Sequence, residues 1–303
     1  MIGTTLFAAG AFVGVNYRAD IYGLHSDPRG RHLSVHHNER TTKYLLTMNY
    51  VPQNYDGLLL GSSITGNWDT SRIEGNRIYN ASISGGNATE AALVARNVFE
   101  KRSLNTLIIT VYPYQTATVG RKSSYMVPGE YWGSLGSVLL LRTYIALAAE
   151  HFGKKHPETD ASGVSLEPIL FMKRTQSVRW PEVVEAKAFE EFQQFVCEAH
   201  RHARRVVALI PPYPEDIWQR QKAFFESYND RALSAFAIDD QVIDFTLPEY
   251  RDFSRLSDNF PDGAHISRTG ADFLVGEVNR LLKAAEAPII ATRLRADSTR
   301  CHN

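Results

Sequence analysis

The chain has 303 residues, of which 44% are hydrophobic and 22% charged, with 33 basic side chains balanced by 33 acidic ones. That length suits one large α/β domain or two small ones, and a net charge of zero gives no electrostatic footprint for nucleic acid, which is not expected as a partner. Two cysteines, Cys197 and Cys301, cannot build a disulfide framework, and neither stands in a metal-ligand or Cys-x-x-Cys spacing.

Residues 1–15 are uncharged and mostly apolar. They fall short of the roughly 17–25 residues of a membrane-spanning helix and lack the basic start of a signal peptide. Two readings stand: the end of an N-terminal anchor, or a short apolar helix packed on the domain. Polar, extended-looking sequence follows at once and favours the anchor. Residues 25–37 read as a solvated connection. Their four histidines, His25, His32, His36 and His37, have no helical or hairpin spacing, so no metal site is expected. A helix follows over 38–49, capped by Asn38, with Leu45, Leu46 and Met48 on its apolar side.

Leu58, Leu59 and Leu60 form a continuous apolar run, the pattern of a strand buried on both faces of a parallel sheet. Gly61 breaks it, and Ser62 and Ser63 stand where the strand is expected to turn into a helix. A serine there serves either as an N-cap or as a nucleophile beside free backbone N–H groups at the positive end of a helix. A second short strand begins at Ile78, and 86–102 is an amphipathic helix with Ala91, Leu93, Val94, Val98 and Phe99 facing inward. A third strand over 104–112 completes a βαβ unit, for which the right-handed parallel crossover is the default.

Residues 113–135 carry Tyr114, Tyr125, Tyr131 and Trp132 and read as an insertion, either covering substrate or holding a surface loop to the core. The apolar stretch 136–152 is interrupted by Arg142 and reads as a buried core helix, and 156–180 as a second, polar insertion. In the helix over 180–204, Phe189, Phe192, Phe195 and Val196 form a core stripe. His200 and His202 lie two apart and so do not share a face. A fourth strand, 206–210, ends at Pro211-Pro212, with Tyr213 and Trp218 just beyond. A helix over 216–236, a strand over 241–246, a last helix over 267–285 and a loose tail from 288 complete the chain. Before that last helix, Asp262 and His265 are spaced so that one loop can carry a base and the carboxylate that orients it. With Ser63 this gives a serine-hydrolase arrangement in chain order. Strands and helices alternate throughout without internal repeat, so the expected fold is a single three-layer α/β/α domain with a mostly parallel sheet of about five strands.

These segments resemble the SGNH, or GDSL-like, hydrolase superfamily. Gly61-Ser62-Ser63 matches its first block, Tyr79 to Gly86 its second, and Asp262-Gly263-Ala264-His265 its last. The third block, Gly-x-Asn-Asp, is absent, and Tyr112-Pro113-Tyr114-Gln115 stands in its place. The resemblance is nearest to the membrane-tethered Gly-Ser-Ser branch, which includes polysaccharide O-acetylation and teichoic-acid D-alanylation proteins. It implies a flavodoxin-like strand order, Ser63 as nucleophile, His265 as base, Asp262 as its orienter, and an oxyanion hole formed by the N–H groups of Ser63 and Gly85. Asn87, Tyr112 and Gln115 are candidates for the missing third donor; Tyr112, Tyr114 and Trp132 are candidates for binding substrate. No cofactor and no metal are implied.

The domain division expected is 1–37 as anchor remnant and connection, 38–287 as the SGNH-like domain with its two insertions, and 288–303 as tail. The expected function is a serine esterase or O-acyltransferase acting on acyl esters, chiefly acetyl, of an extracytoplasmic polysaccharide. Its partners would be an acylated carbohydrate or small ester and a membrane acyl-donor protein. It would be tethered to the bacterial cytoplasmic membrane, although composition alone fits the cytoplasm equally well. Two other classes compete: a catalytically silent glycan-binding or scaffold module, and a phosphate-binding protein using the turn at Ser62 to Thr65. No basic side chain stands near that turn in sequence to support the latter.

Overall fold

The computed structural model describes residues 2–34, 38–117, 126–153, 159–166, 180 and 182–284. His36, His37, Tyr125, most of the 156–180 insertion and the 288–303 tail lie outside the described residues. The helices are α1 (Ile2–Ala19), α2 (Glu39–Met48), α3 (Tyr50–Asn54), α4 (Ala88–Phe99), α5 (Glu130–Gly133), α6 (Leu140–His151), α7 (Ala186–His202), α8 (Glu215–Leu233), α9 (Arg251–Arg255) and α10 (Arg268–Ala284). The strands are β1 (Gly57–Leu60), β2 (Ile78–Asn80), β3 (Leu104–Thr110), β4 (Ala203–Ile210) and β5 (Gln241–Asp244).

The five strands form one all-parallel sheet in the order β2-β1-β3-β4-β5, with helices on both faces. The expected three-layer α/β/α architecture is therefore present, wound in the flavodoxin-like order. Side chains alternate across the sheet with the period of two that a strand imposes. Leu58, Leu60, Leu107 and Ile109 join the core under α2, α4 and α7, whereas Leu59, Ile108, Val207 and Leu209 join the core under α10 and the first half of α8. Strand order reverses between β1 and β3, and in open α/β sheets the crevice at that switch point is where ligands bind. The segment that follows β1 opens into it.

Several elements differ from the sequence reading for identifiable reasons. The strand β4 starts at Ala203 rather than Val206, because α7 ends at His202 and the chain pairs at once with β3 (Leu104 beside Ala203). The helix α8 is kinked at Gln221 (φ −121°, ψ 19°). There the Gln221 amide accepts from Trp180 N (3.2 Å) and donates to Trp180 O (3.0 Å).

The N-terminal segment does not become extended at Asn16. Helix α1 continues to Ala19, and Asn16 is buried, donating to Leu135 O (2.7 Å) while accepting from Tyr144 Oη (2.7 Å). Asp20 follows at φ 40°, and its buried carboxylate gathers the backbone N–H groups of Leu24, His25 and Ser26. One carboxylate thus fixes the start of the connection, while Ser26, Asp27, Arg29, Gly30 and His32 are exposed, as its composition suggested.

The helix α6 is not the buried core helix its composition suggested. Leu140 and Thr143 are buried, but Leu141 and Ile145 on the helix and Val138 and Leu139 just before it are exposed. Among the described residues no single helix is long and apolar enough to cross a membrane; the bent pair Glu130–Gly136 and Leu140–Ala149 meets the test only jointly, across a 69° bend.

Candidate active site

The chain leaves β1 through Gly61, and the space there admits no side chain. A Cβ on Gly61 would lie 2.1 Å from Thr65 Oγ1 and 2.6 Å from Thr110 Oγ1. This close approach lets the chain turn sharply over the end of the sheet. Thr65 N donates to Ser62 O (3.1 Å) and Gly66 N to Ser63 O (3.3 Å), so residues 62–67 form a run of turns. The expected helix after β1 is not there, and the next element is the 3₁₀ turn Thr70–Arg72. No helix macrodipole therefore acts on Ser63, and any anion stabilisation at this position rests on individual N–H groups.

Within the turn the two serines have different surroundings. Ser62 is 2% exposed, and its Oγ is buried without a hydrogen-bond partner among the described residues. Ser63 is partly exposed, and its Oγ lies 2.9 Å from His265 Nε2. On the opposite side of the ring, His265 Nδ1 lies 2.6 Å from Asp262 Oδ2. The other carboxylate oxygen, Oδ1, accepts from His265 N (2.7 Å) and Ala264 N (2.9 Å). The turn that achieves this requires Gly263 at φ 83°, a conformation open to glycine at no steric cost.

Partial burial pushes the Asp262 carboxyl up, but hydrogen bonds from the His265 ring and from the two backbone N–H groups outweigh it. Together they hold the pKa at about 2. The carboxylate is thus ionised at neutral pH, keeps the proton of the neutral imidazole on Nδ1, and leaves Nε2 as the acceptor facing Ser63 Oγ. This is the hydrogen-bond order that makes a serine hydroxyl nucleophilic.

Gly85 stands at φ 62° in the loop between β2 and α4. Pairing of β1 with β2 runs on past the strands, through Ala81 N to Leu59 O (2.9 Å) and Ile83 N to Gly61 O (3.1 Å). Ser84-Gly85 and Ser62-Ser63 therefore leave the sheet side by side at its C-terminal edge. The neighbours of Gly85 have their N–H groups engaged: Ser84 N donates to Glu39 Oε2 (2.9 Å) and Gly86 N to Ile83 O (2.8 Å). Among the described residues the N–H groups of Ser63 and Gly85 have no intramolecular acceptor.

The remaining candidates lie as follows. The Asn87 side-chain oxygen accepts from Glu90 N (3.0 Å) and caps α4, so it is engaged in the helix start. Tyr112 is 7% exposed, in edge contact with Trp180 (4.5 Å between centroids) and stacked on Tyr213 (6.3 Å), and burial pushes its phenol well above the usual range. It belongs to the core beneath the edge and presents no surface to a ligand. Gln115 is buried too, its Oε1 without a partner among the described residues. Tyr114 is exposed in the 3₁₀ turn (Pro113–Thr116) after β3. Trp132 is 69% exposed and packs against Tyr131 and His25, on the α1 side of the molecule. Among the described residues no group of three or more His, Cys, Asp or Glu side chains is placed to hold a metal ion.

Two residues that sequence reasoning missed brace the nucleophile turn. Asn80, fully buried at the end of β2, donates to Thr65 O (2.7 Å) and Trp68 O (3.0 Å) and accepts from Ser82 N (3.1 Å). Asn67 donates to Ile266 O (2.8 Å), tying the turn of Ser63 to the loop of His265. A polar side chain closing an otherwise apolar strand was the available signal for Asn80; nothing local marked Asn67.

No family model matches the chain, and no curated protein matches it.

Proposed function

We propose that the protein is a serine esterase or O-acyltransferase of the SGNH type that acts on ester-linked acyl groups. The observation that carries this reading is the unbroken relay Asp262–His265–Ser63, with contacts of 2.6 and 2.9 Å at the C-terminal edge of the sheet. His265 Nε2 takes the proton from Ser63 Oγ as that oxygen attacks the ester carbonyl. The N–H groups of Ser63 and Gly85, both without an acceptor among the described residues, receive the oxyanion. Collapse expels the alcohol, which takes the proton back from His265, and leaves the acyl group on Ser63. Water or a sugar hydroxyl, deprotonated by His265, then removes the acyl group.

The substrate class in this proposal is an acylated carbohydrate, chiefly an O-acetylated polysaccharide outside the cytoplasm, with a membrane acyl-donor protein as a further partner. Membrane association is supported by the apolar side chains exposed along α1 and over residues 138–145, among them Val13, Val15, Val138, Leu139 and Ile145. Steady-state hydrolysis of p-nitrophenyl acetate by the wild type and by Ser63→Ala tests the reading. Turnover lost in Ser63→Ala supports it, and turnover of equal size in both refutes it.

A further inference from the structure

The first five residues of α2 carry three charged side chains, and all three reach to the short loop that follows β2. Lys43 is completely buried, and its Nζ donates to Ser82 O and pairs with Glu39 Oε1 at 3.3 Å. Glu39 accepts from Ser84 N through its second oxygen (2.9 Å). Arg40 donates from Nη2 to Ser84 O (2.7 Å) and from Nε to Glu90 Oε1 (2.9 Å), where Glu90 is buried in the first turn of α4. The backbone of Ser82 and Ser84 is therefore held at three polar atoms by one helical turn, and Ser82 Oγ is tied in addition to Thr65 Oγ1 at 2.8 Å. The next residue is Gly85.

Nothing in packing requires this arrangement. A buried ion pair is weak evidence for stability, because desolvating both charges costs about as much as their attraction returns. Burial pulls the Lys43 ammonium down from its usual range, partly offset by Glu39, whereas the Glu39 carboxyl, pushed up by burial, is held below its ordinary value by Lys43 and Ser84 N. What the pair does provide is direction. Its hydrogen bonds engage Ser82 O, Ser84 N and Ser84 O, and leave the N–H of Gly85 as the donor that is not consumed between Ser84 and Gly86.

We propose that Glu39, Arg40 and Lys43 form a clamp that positions the Ser82–Gly85 backbone so that Gly85 N–H faces the oxyanion formed at Ser63. They are positioning residues: none touches the reacting atoms, and the inference rests on the esterase reading above. An oxyanion donor acts only if it lies within hydrogen-bond distance of where charge develops, and a displacement of about 1 Å is enough to cost on the order of 10²-fold. The clamp therefore acts on kcat and leaves ground-state binding of a small ester largely untouched.

The test uses the full chain with Lys43→Met, Arg40→Ala and Arg40→Lys. Removing Lys43 strands Glu39 and can unfold the chain, so the Arg40 variants, at a side chain one-third exposed, keep the question open to test. Hydrogen exchange followed by mass spectrometry reads the amides of residues 82–86, and p-nitrophenyl acetate gives kcat and KM separately. We expect faster exchange confined to 82–86, and kcat lowered on the order of 10²-fold at nearly constant KM in Arg40→Ala. Arg40→Lys, which still donates to Ser84 O, should recover most of both. Folded variants with wild-type exchange at 82–86, or with kcat unchanged, overturn the clamp. Loss of the esterase reading itself is told apart by Ser63→Ala: if that variant turns over ester as the wild type does, the reaction is not at Ser63 and the clamp has no oxyanion to serve.

Discussion

Replacing Asp262 by Asn probes the relay at the point where the structure makes the most definite statement. In the wild type, Asp262 Oδ1 accepts from two backbone N–H groups, and Oδ2 accepts from His265 Nδ1. An asparagine can satisfy the backbone donors only by placing its carbonyl oxygen on them, which turns its NH₂ toward His265 Nδ1. The imidazole then accepts at Nδ1 and carries its proton on Nε2, the nitrogen 2.9 Å from Ser63 Oγ. A protonated Nε2 cannot take the serine proton. In a Ser-His-Asp triad this wrong tautomer lowers kcat by about 10⁴-fold, which is about 5.4 kcal/mol of transition-state stabilisation. We expect a loss of that order in p-nitrophenyl acetate hydrolysis, with KM changed little and with circular dichroism and melting confirming the fold. If folded Asp262→Asn retains a tenth or more of the wild-type kcat, Asp262 does not set the tautomer, and the relay as described is wrong.

Other consequences can be checked in parallel. Ser62→Ala removes a buried hydroxyl that has no partner among the described residues, so it should keep most of the activity and the stability, whereas Ser63→Ala should keep none of the activity. Equal losses from the two variants contradict the assignment. Asp262 stays charged down to about pH 2, so the acid limb of the activity profile should show no ionisation between pH 3 and 5, roughly the usual carboxylate range; one found there counts against the relay. The folded pKa of Asp262 lies below its ordinary value of 3.8, so its contribution to stability is present above about pH 4 and is lost as pH falls through about 2. The difference in unfolding free energy between wild type and Asp262→Asn, followed by urea titration, should shrink over that window. Gly61→Ala would press a methyl group onto the hydroxyls of Thr65 and Thr110 and should destabilise by at least about 1–3 kcal/mol in urea; a neutral result would mean that the turn after β1 adapts freely.

Much of this architecture was legible because local sequence and global fold agree. Leu58 to Leu60 could only be a strand buried on both faces, and the periodicity of α4 and α7 placed the layers around it. Ser63, Asp262 and His265 were singled out for a different reason: Asp262 and His265 are spaced to share one loop, and the resemblance to the SGNH family joined that loop to Gly61-Ser62-Ser63, which alone reads equally as a helix N-cap. What the sequence concealed depends on partners distant in the chain. Lys43 on α2 reads as an ordinary polar residue until Ser82 and Glu39 enclose it. Asn16 looks like the start of a polar, extended segment until Leu135 and Tyr144 bury it. Tyr112, taken as a ligand-facing ring, is drawn inward by Trp180 and Tyr213. The stretch that became α6 was apolar enough to suggest a core position, yet a long apolar run says nothing of whether the sheet has room left to cover it.

The central claim, that Ser63 is an activated nucleophile, is tested most directly by a fluorophosphonate probe followed by peptide mapping. We predict one adduct, on Ser63, formed by the wild type, absent in Ser63→Ala and strongly slowed in His265→Gln. An untouched wild-type chain, or an adduct that persists in Ser63→Ala, would contradict the account.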